Sequence, residues 1–156
     1  MGVILMKVRF YEEAEDELLK FAVIIAKAQN KWVFCKHRER DTYEVPGGHR
    51  EAGESIEETA RRELYEETGA LSFDLKPVCI YSVIREDSVD EGAPGETFGM
   101  LYYAEIFELE NELHSEIEKN IITEEVPEEW TYPLIQPKLM EEAVRRGIIV
   151  KDKRIR

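Results

Sequence analysis

Long apolar runs are missing from this chain of 156 residues. No stretch approaches the roughly 20 consecutive apolar residues that a membrane-spanning helix requires. The apolar start, M-G-V-I-L-M over residues 1–6, is too short for a signal peptide and has no cleavage site. Met6 stands where N-myristoylation requires Ser or Thr. We therefore expect a cytoplasmic protein that does not bind a membrane.

Cysteine is also scarce, with only Cys35 and Cys79 in the whole chain. Two cysteines are too few for a disulfide framework, and their separation fits no metal-binding spacing. Both lie in segments of alternating apolar residues, where cysteine behaves as a small hydrophobic side chain. We expect two buried free thiols.

Basic residues are outnumbered, since 21 Lys and Arg stand against 34 Asp and Glu, which gives a net charge of −13. A chain this acidic repels a phosphate backbone, so we expect no extended nucleic-acid binding. A small polyanionic substrate would need cations to approach it. The hydrophobic share of 43% and the length are typical of one soluble globular domain over residues 1–156.

Apolar segments of strand length outnumber the predicted helices. Strands are predicted over residues 3–11, 21–28, 32–37, 72–83, 97–107 and 117–123. Asn30 and Lys31 form the predicted turn between the second and third strands, and residues 86–95 read as a polar loop with Gly and Pro. Periodicity alone indicates an α+β or α/β fold.

Two helices are marked by their end signals. Ser55 and Glu58 match a capping box, which predicts a helix that begins at about Ile56. Gly69 is the matching stop, at a position that favours a left-handed residue. A second helix is predicted over residues 133–146, with proline at its first position and glycine directly after it.

The first of these helices gathers acidic residues on one face. Glu63, Glu66 and Glu67 are three and four positions apart, so their carboxylates converge. Like charges at this spacing cost a few tenths of a kcal/mol, roughly, unless a cation neutralises them. Carboxylate oxygens are the ligands that Mg²⁺ and Mn²⁺ prefer. A solvated acidic face is the alternative for an isolated segment of this kind.

The acidic residues belong to a longer pattern. Residues 48–70 read G-H-R-E-A-G-E-S-I-E-E-T-A-R-R-E-L-Y-E-E-T-G-A and fit G-x5-E-x7-R-E-U-x-E-E-x-G-U, where U is bulky and aliphatic. Ala70 is small for the last position, and Leu71 follows as a candidate for that role. The pattern is the Nudix box, and the chain resembles the Nudix (MutT-like) hydrolases. The resemblance implies an α/β fold: a Nudix-type α/β/α sandwich, a mixed sheet flanked by helices.

The resemblance also implies roles for the box residues. It places Mg²⁺ or Mn²⁺ on Glu67 and Glu63, then Glu66, together with the backbone carbonyl of Gly48. Arg62 would orient a box carboxylate through a charge-assisted hydrogen bond. Two further roles follow: Glu54 would brace the loop–helix corner or bind metal through water, and Gly69 is structural. The implied reaction is attack by water at a phosphorus of a nucleoside diphosphate linked to a group X.

The general base is predicted outside the box. Many MutT-like enzymes use a glutamate in a loop before the last strand, and Glu116 and Glu118 occupy that region. We favour Glu116, with Glu96 and Glu105 as weaker candidates. The alternative is that all four are surface acids of an acidic chain.

Substrate contacts are predicted on the strand before the box and on the corner P-G-G at residues 46–48. Arg38 stands where related enzymes place a phosphate-binding arginine, and Lys36 alternates with it onto the same side. Gly47 lets the backbone turn sharply or approach a ligand. His37 and His49 are candidates for contact with phosphate or base, but lone histidines usually have no such role. The aromatic residues Trp32, Phe34 and Tyr43 could stack on a nucleobase, but strand aromatics more often belong to the core.

The leading functional hypothesis is a MutT-like nucleoside triphosphate pyrophosphohydrolase, with 8-oxo-dGTP among its candidate substrates. Glu86 replaces the proline that ADP-ribose hydrolases of the family tend to carry, which disfavours that subfamily. Removal of pyrophosphate from a triphosphorylated RNA 5′ end is an alternative, for which the basic tail at residues 151–156 could help. A non-catalytic nucleotide sensor is another. The partner expected is a nucleotide-type small molecule, and the protein is expected to be a monomer or a homodimer.

Overall fold

Within the residues that the structure describes, seven strands form one mixed sheet with two helices. The structure is a computed structural model; it describes residues 6–85, 95–110 and 117–150, and for residues 117–121 only the backbone. The elements are β1 Met6–Tyr11, β2 Leu19–Ala28, β3 Lys31–His37, β4 Gly47–His49, α1 Ile56–Thr68, β5 Ala70–Arg85, β6 Glu96–Leu109, β7 Ile117–Thr123 and α2 Gln136–Arg145. The sheet order is β1-β5-β6-β2-β3-β7, and β4 pairs with β2 beside this row.

The central strand β2 has different neighbours on its two sides. It runs parallel to β6, whereas its pairings with β3 and β4 are antiparallel. The outer pairings β1–β5, β5–β6 and β3–β7 are antiparallel as well. Because β4 pairs with β2, the segment that leads into α1 is held at the middle of the sheet.

Apolar residues cover both faces of the sheet, because successive side chains of a strand point to opposite faces. On one face, α1 packs against β2, β3 and β6 through a cluster that contains Ala22, Ile24, Ala26, Val33, Ala60, Leu64, Tyr102 and Ala104. On the other, α2 packs through a cluster that contains Ile25, Phe34, Tyr81, Leu101, Leu139, Met140 and Ala143. A mixed sheet between two helices confirms the expected α/β/α sandwich.

The ends of α1 confirm the capping prediction. The Ser55 hydroxyl accepts a hydrogen bond from the Glu58 N–H at 3.1 Å, and the Glu58 carboxylate accepts one from the Ser55 N–H at 3.0 Å. Gly69 ends the helix with φ 77°, and its N–H donates to the carbonyl of Tyr65 at 2.8 Å. Ala70 is buried and Leu71 is exposed. The small residue therefore fills the last apolar position of the box, and Leu71 does not.

Ser55→Ala should lower the free energy of unfolding by about 1 kcal/mol, because the N–H groups at the start of α1 lose their acceptor. Urea denaturation followed by circular dichroism measures the change. Ser72→Ala is the matched control, since Ser72 is exposed on β5 and its loss should change stability by less than about 0.5 kcal/mol. Equal effects of the two variants would mean that the cap contributes nothing.

The six predicted strands are present, with changes at their ends, whereas β4 was not predicted as a strand. Residues 3–5 of the first predicted strand and residues 86–94 of the predicted loop lie outside the described residues. β7 covers the predicted residues 117–123, while β5 and β6 extend past their predicted limits. β1 pairs with β5 and is the last strand of the sheet on that side in the described residues. The turn predicted at Asn30 and Lys31 was wrong by one residue: Gln29 and Asn30 have positive φ, and Ala28 pairs with Lys31. Two left-handed residues suit the twist of a tight hairpin.

The second helix begins later than predicted. The carbonyl of Tyr132 accepts from the N–H groups of Ile135 and Gln136 at 3.1 and 3.0 Å, which closes a turn before α2. Pro137, and not Pro133, is the proline of the first helical turn. Backbone N–H groups at this position have no hydrogen-bond partner within the helix, so the N–H that proline lacks is not needed. The prediction that Pro133 opens the helix was therefore wrong.

Buried side chains settle two structural alternatives from the sequence. Cys35 and Cys79 are free and buried, as predicted. Trp32 and Phe34 are 2% and 1% exposed, so they belong to the core.

Among the described residues, no helix is both long and apolar enough to cross a membrane.

Candidate active site

The corner at residues 46–48 brings the backbone to the acidic face of α1. The carbonyl of Pro46 accepts a hydrogen bond from the Ile24 N–H at 2.8 Å, which fixes the corner to the central strand. Gly48 follows on β4, and a Cβ atom added there would overlap the carboxylate of Glu63. Glycine is therefore required at position 48 for this close approach.

Glu67 is the most buried carboxylate of the box, with 5% of its surface exposed. One of its oxygens accepts from the Gly47 N–H at 2.6 Å, and the other lies 3.3 Å from Nε2 of His37. Burial raises the pKa of Glu67 to about 8, against the effect of the Gly47 hydrogen bond, and the nearby Glu63 and Glu44 add to the rise. A carboxylate in this position is stabilised by any cation that reaches it.

Arg62 holds the other carboxylates together. Its guanidinium donates to both oxygens of Glu54 at 2.6 and 3.0 Å. It also donates to Glu63 at 2.7 Å and to Glu66 at 3.3 Å. A further bond, of 3.0 Å, reaches the carbonyl of His49. One arginine thus joins the loop before α1 to the acidic face of that helix, and its own pKa is raised, mainly by the Glu54 hydrogen bonds.

Glu54 differs from the other carboxylates because its oxygens are already occupied. Besides Arg62, the Thr59 hydroxyl and the Glu51 N–H each donate to it at 2.9 Å. The Arg62 hydrogen bonds, followed by the Glu51 bond, lower the pKa of Glu54 to about 2. In this structure Glu54 braces the loop–helix corner, which is the first of the two roles implied for it.

A cleft of about 680 Å³ opens beside these residues. This volume lies within the range of roughly 300–1,000 Å³ that is typical of small-molecule sites. Carboxylates and the glycine backbone line one part of the cleft, and apolar or aromatic side chains line another. Its described lining includes Gly47, Gly48, Glu63, Glu66 and Glu67, and also Phe21, Val23, Tyr81, Val83, Ile135 and Leu139.

Sequence comparison assigns the family. The profile of the NUDIX domain matches residues 17–146, which is most of the chain. The chain belongs to the NUDIX family. It is 31% identical over 124 residues to YtkD of Bacillus subtilis, named as a candidate 8-oxo-dGTP diphosphatase, with 79% of this chain and 73% of that protein covered. The predicted reaction class, hydrolysis of phosphorus-containing acid anhydrides, is confirmed by this membership.

Solved Nudix structures share the fold. A mutant of the Bacillus subtilis pyrophosphohydrolase BsRppH superimposes with a TM-score of 0.73 at 25% identity, and the alignment covers 92% of each chain. An ADP-ribose pyrophosphatase from Streptococcus suis superimposes with a TM-score of 0.58 at 12% identity, over 84% of this chain and 92% of that one. The second likeness concerns the fold alone.

Five box residues predicted from sequence line the cleft: Gly48, Arg62, Glu63, Glu66 and Glu67. In the described residues, Glu54 is not part of that lining, and neither are the two predicted substrate cations. Arg38 is exposed on a turn, and the Lys36 ammonium donates to the carbonyl of His37 at 3.4 Å. Neither side chain is part of the cleft lining in the described part of the chain. His37 and Arg40 line it instead. The substrate roles of Arg38 and Lys36 remain predictions.

Sequence reasoning missed Glu44, a second buried carboxylate at the Nudix site. Glu44 is 6% exposed, lies at the cleft, and its oxygens are 3.3 Å from Arg40 and 3.6 Å from Nε2 of His37. His37 therefore lies between Glu44 and Glu67. Glu44 directly precedes V-P-G-G in the sequence, which could have indicated that it lies near the site. A single acidic residue forms no spacing pattern, so this position alone did not single it out.

The structure describes the side chains of two of the four candidates for the general base, Glu96 and Glu105. Glu116 lies outside the described residues, as does the side chain of Glu118. Glu96 accepts hydrogen bonds from Ser82 and Tyr11, and Glu105 accepts one from Tyr103 at 3.0 Å; neither glutamate lines the cleft. The preference for Glu116 therefore stays a prediction.

The donor set fits the divalent ion that Nudix hydrolases generally use. Glu67 is buried and Glu63 is partly buried; burial raises the pKa of both carboxyl groups, and Gly48 brings its backbone beside Glu63. Hard oxygen donors of this kind suit Mg²⁺ or Mn²⁺. In the described residues, no three acidic, histidine or cysteine side chains form a group that could hold an ion. Glu63 and Glu66 accept hydrogen bonds from Arg62 instead, and Glu67 accepts one from the Gly47 N–H. Arg62 thus provides the positive charge near Glu63 and Glu66.

Gly48→Ala should lower the affinity for Mn²⁺ and kcat/KM at least about 10-fold, because the new methyl group displaces the Glu63 carboxylate. The melting temperature should fall little, since the end of a glutamate side chain can move. Gly47→Ala is the contrasting variant: its Cβ would lie 2.5 Å from the backbone oxygen of Ala22, which cannot move, so stability should fall instead. Calorimetric titration with Mn²⁺ and thermal melts distinguish the two. Unchanged Mn²⁺ affinity in Gly48→Ala would contradict the predicted role of Gly48.

Proposed function

We propose that this protein hydrolyses nucleoside triphosphates to the monophosphate and pyrophosphate, with 8-oxo-dGTP as the first candidate substrate. The observation that carries the proposal is the two-part cleft. A phosphate chain with its cation suits the carboxylate wall, and a nucleobase suits the apolar wall that contains Phe21, Tyr81 and Leu139. The 31% identity to a protein named as a candidate 8-oxo-dGTP diphosphatase supports the same substrate class.

The proposal includes Mg²⁺, or Mn²⁺ in its place. Glu63, Glu66, Glu67 and the carbonyl of Gly48 would hold the ion. When bound, it would neutralise phosphate charge, position the attacking water and lower the pKa of that water. The high negative charge of the protein is then compatible with a polyanionic substrate, because the substrate arrives as its metal complex.

The protein's own groups prepare the site before any ligand binds. Gly47 fixes one oxygen of Glu67, and Arg62 fixes the directions of Glu63 and Glu66. These bonds restrict the three carboxylates, which would still have to turn toward a shared ion, since in the described residues they are not gathered into a group that could hold one.

Glu116 is proposed as the general base, on sequence grounds alone. Glu116→Gln should lower kcat by about 10²–10⁴, because the amide cannot accept the proton of the attacking water. Glu118→Gln is the neighbouring control and should keep most of the rate. A Glu116→Gln enzyme that retains nearly full activity would leave the role of base to another group.

The test of the proposed function is turnover of a nucleotide panel with Mg²⁺, with the phosphorus products identified. The panel contains unmodified and oxidised triphosphates, ADP-ribose, nucleotide sugars, dinucleoside polyphosphates and a 5′-triphosphorylated RNA. We expect pyrophosphate and the monophosphate from a triphosphate, with loss of activity in Glu67→Gln. Preferred cleavage of the RNA would support the alternative pyrophosphohydrolase, and binding without any turnover would support a sensor.

A further inference from the structure

Gln136, the first residue of α2, is oriented by a backbone group. The side chain is 5% exposed, and its Oε1 accepts a hydrogen bond from the Val45 N–H at 2.9 Å. A backbone N–H can only donate, so the amide oxygen must face Val45. The amide nitrogen, Nε2, consequently points away from Val45.

The two N–H groups of Nε2 are accessible, and they belong to a residue that lines the cleft. In the described part of the chain, the Val45 bond is the one hydrogen bond of the Gln136 side chain. No buried side-chain nitrogen or oxygen there lacks a partner, so Nε2 is not sealed inside the protein. Gln136 lines the cleft. Its donor is therefore directed at the space that a ligand would fill.

The surroundings of Gln136 favour an uncharged acceptor. Val45, Tyr81 and Leu139 line the same cleft and belong to one apolar core cluster, against which Ile135 also packs. Transfer of a phosphate oxygen into such surroundings costs more than transfer of a neutral carbonyl. A neutral donor in an apolar wall thus matches the carbonyl of a heterocyclic ring.

We propose that Gln136 reads the nucleobase: Nε2 donates to a ring carbonyl of a keto base and disfavours an amino group at the same position. The inference rests on the proposed function, because it requires a nucleotide in the cleft. An amino group would meet the Nε2 donors and leave both sides without an acceptor, which is the costly case for a buried polar group. Guanine, 8-oxoguanine, thymine and uracil carry such carbonyls, whereas adenine carries an amino group instead.

Gln136→Glu is the informative variant. The carboxylate keeps an acceptor for the Val45 N–H and nearly the same volume, but an acceptor replaces the donor toward the cleft. Its negative charge weakens the binding of all nucleotides that carry the same phosphates by the same factor. The ratio of dissociation constants between two bases is therefore unaffected by that charge. Gln136→Met removes both polar functions and serves as the second variant, should Gln136→Glu fail to fold.

The experiment measures dissociation constants for GMP and AMP, and for UMP and CMP, with kcat/KM for the corresponding triphosphates. We expect the wild-type protein to favour the keto member of each pair by about 10- to 100-fold. Gln136→Glu should abolish or invert that ratio while the melting temperature stays within a few degrees, and Gln136→Met should bring the ratio close to one.

An unchanged ratio in a folded Gln136→Glu or Gln136→Met protein, or no keto preference in the wild type, overturns the inference about Gln136. The two proposals fail separately. Turnover of triphosphates without a base preference retains the proposed function and removes the role of Gln136. A Gln136-dependent preference in the dissociation constants without turnover retains that role and removes the proposed function. Absence of binding to all four monophosphates overturns the role of Gln136.

Discussion

Glu67→Gln should lower kcat by at least about 100-fold on whichever nucleotide the wild-type enzyme hydrolyses. The amide still accepts the Gly47 N–H, so the local geometry is kept, but the negative charge offered to a cation is lost. Stability without metal should be equal to that of the wild type or higher, because the substitution removes a buried carboxyl group whose charged form is disfavoured by burial. Activity assays and thermal melts in EDTA test both statements.

The metal dependence of the melting temperature separates a catalytic defect from a folding defect. An ion that binds only the folded state raises its stability. Mn²⁺ should therefore raise the melting temperature of the wild type and raise that of Glu67→Gln much less. Glu58→Gln lies on the same helix, at the exposed capping position, and should respond to Mn²⁺ as the wild type does. A full Mn²⁺ response and full activity in Glu67→Gln would exclude Glu67 from the metal site.

Arg62→Met should lower the free energy of unfolding by about 2–4 kcal/mol. The substitution leaves Glu54, Glu63 and Glu66 close together without the guanidinium that neutralises them. Breaking a fully buried ion pair costs roughly 3–5 kcal/mol, and partial exposure of this group reduces the value. kcat/KM should also fall, by about 10- to 100-fold, since the carboxylates lose the group that orients them.

A matched control for Arg62 is its neighbour on the same helix. Arg61 is about half exposed and pairs with the exposed Glu57, so Arg61→Met should cost less than about 1 kcal/mol. Urea denaturation in EDTA and with saturating Mg²⁺ gives a further check. Mg²⁺ should stabilise Arg62→Met more than the wild type, because a cation then replaces the missing charge. Equal gains from Mg²⁺ would mean that Arg62 does not compensate the metal-site carboxylates.

Sequence reasoning succeeded where a feature depends on neighbouring residues. The capping box at Ser55 and the stop at Gly69 set the ends of α1, because both signals act through backbone groups within one helical turn. Glu63, Glu66 and Glu67 line one cleft, as their helical spacing predicts, although in the described residues they are not gathered into a group that could hold an ion. The start of α2 was misjudged because two prolines, Pro133 and Pro137, offer the same signal, and only the turn at Tyr132 distinguishes them.

The family and the acidic helix face could therefore be inferred from local patterns, since the spacing of residues 48–70 carries both. The rest of the site depends on contacts between distant segments. The approach of Gly48 to Glu63, the placement of His37 between Glu44 and Glu67, and the exposure of Gln136 to the cleft arise from the sheet order and from the pairing of β4 with β2. Strand order and register are collective properties of the folded chain, so no short segment encodes them.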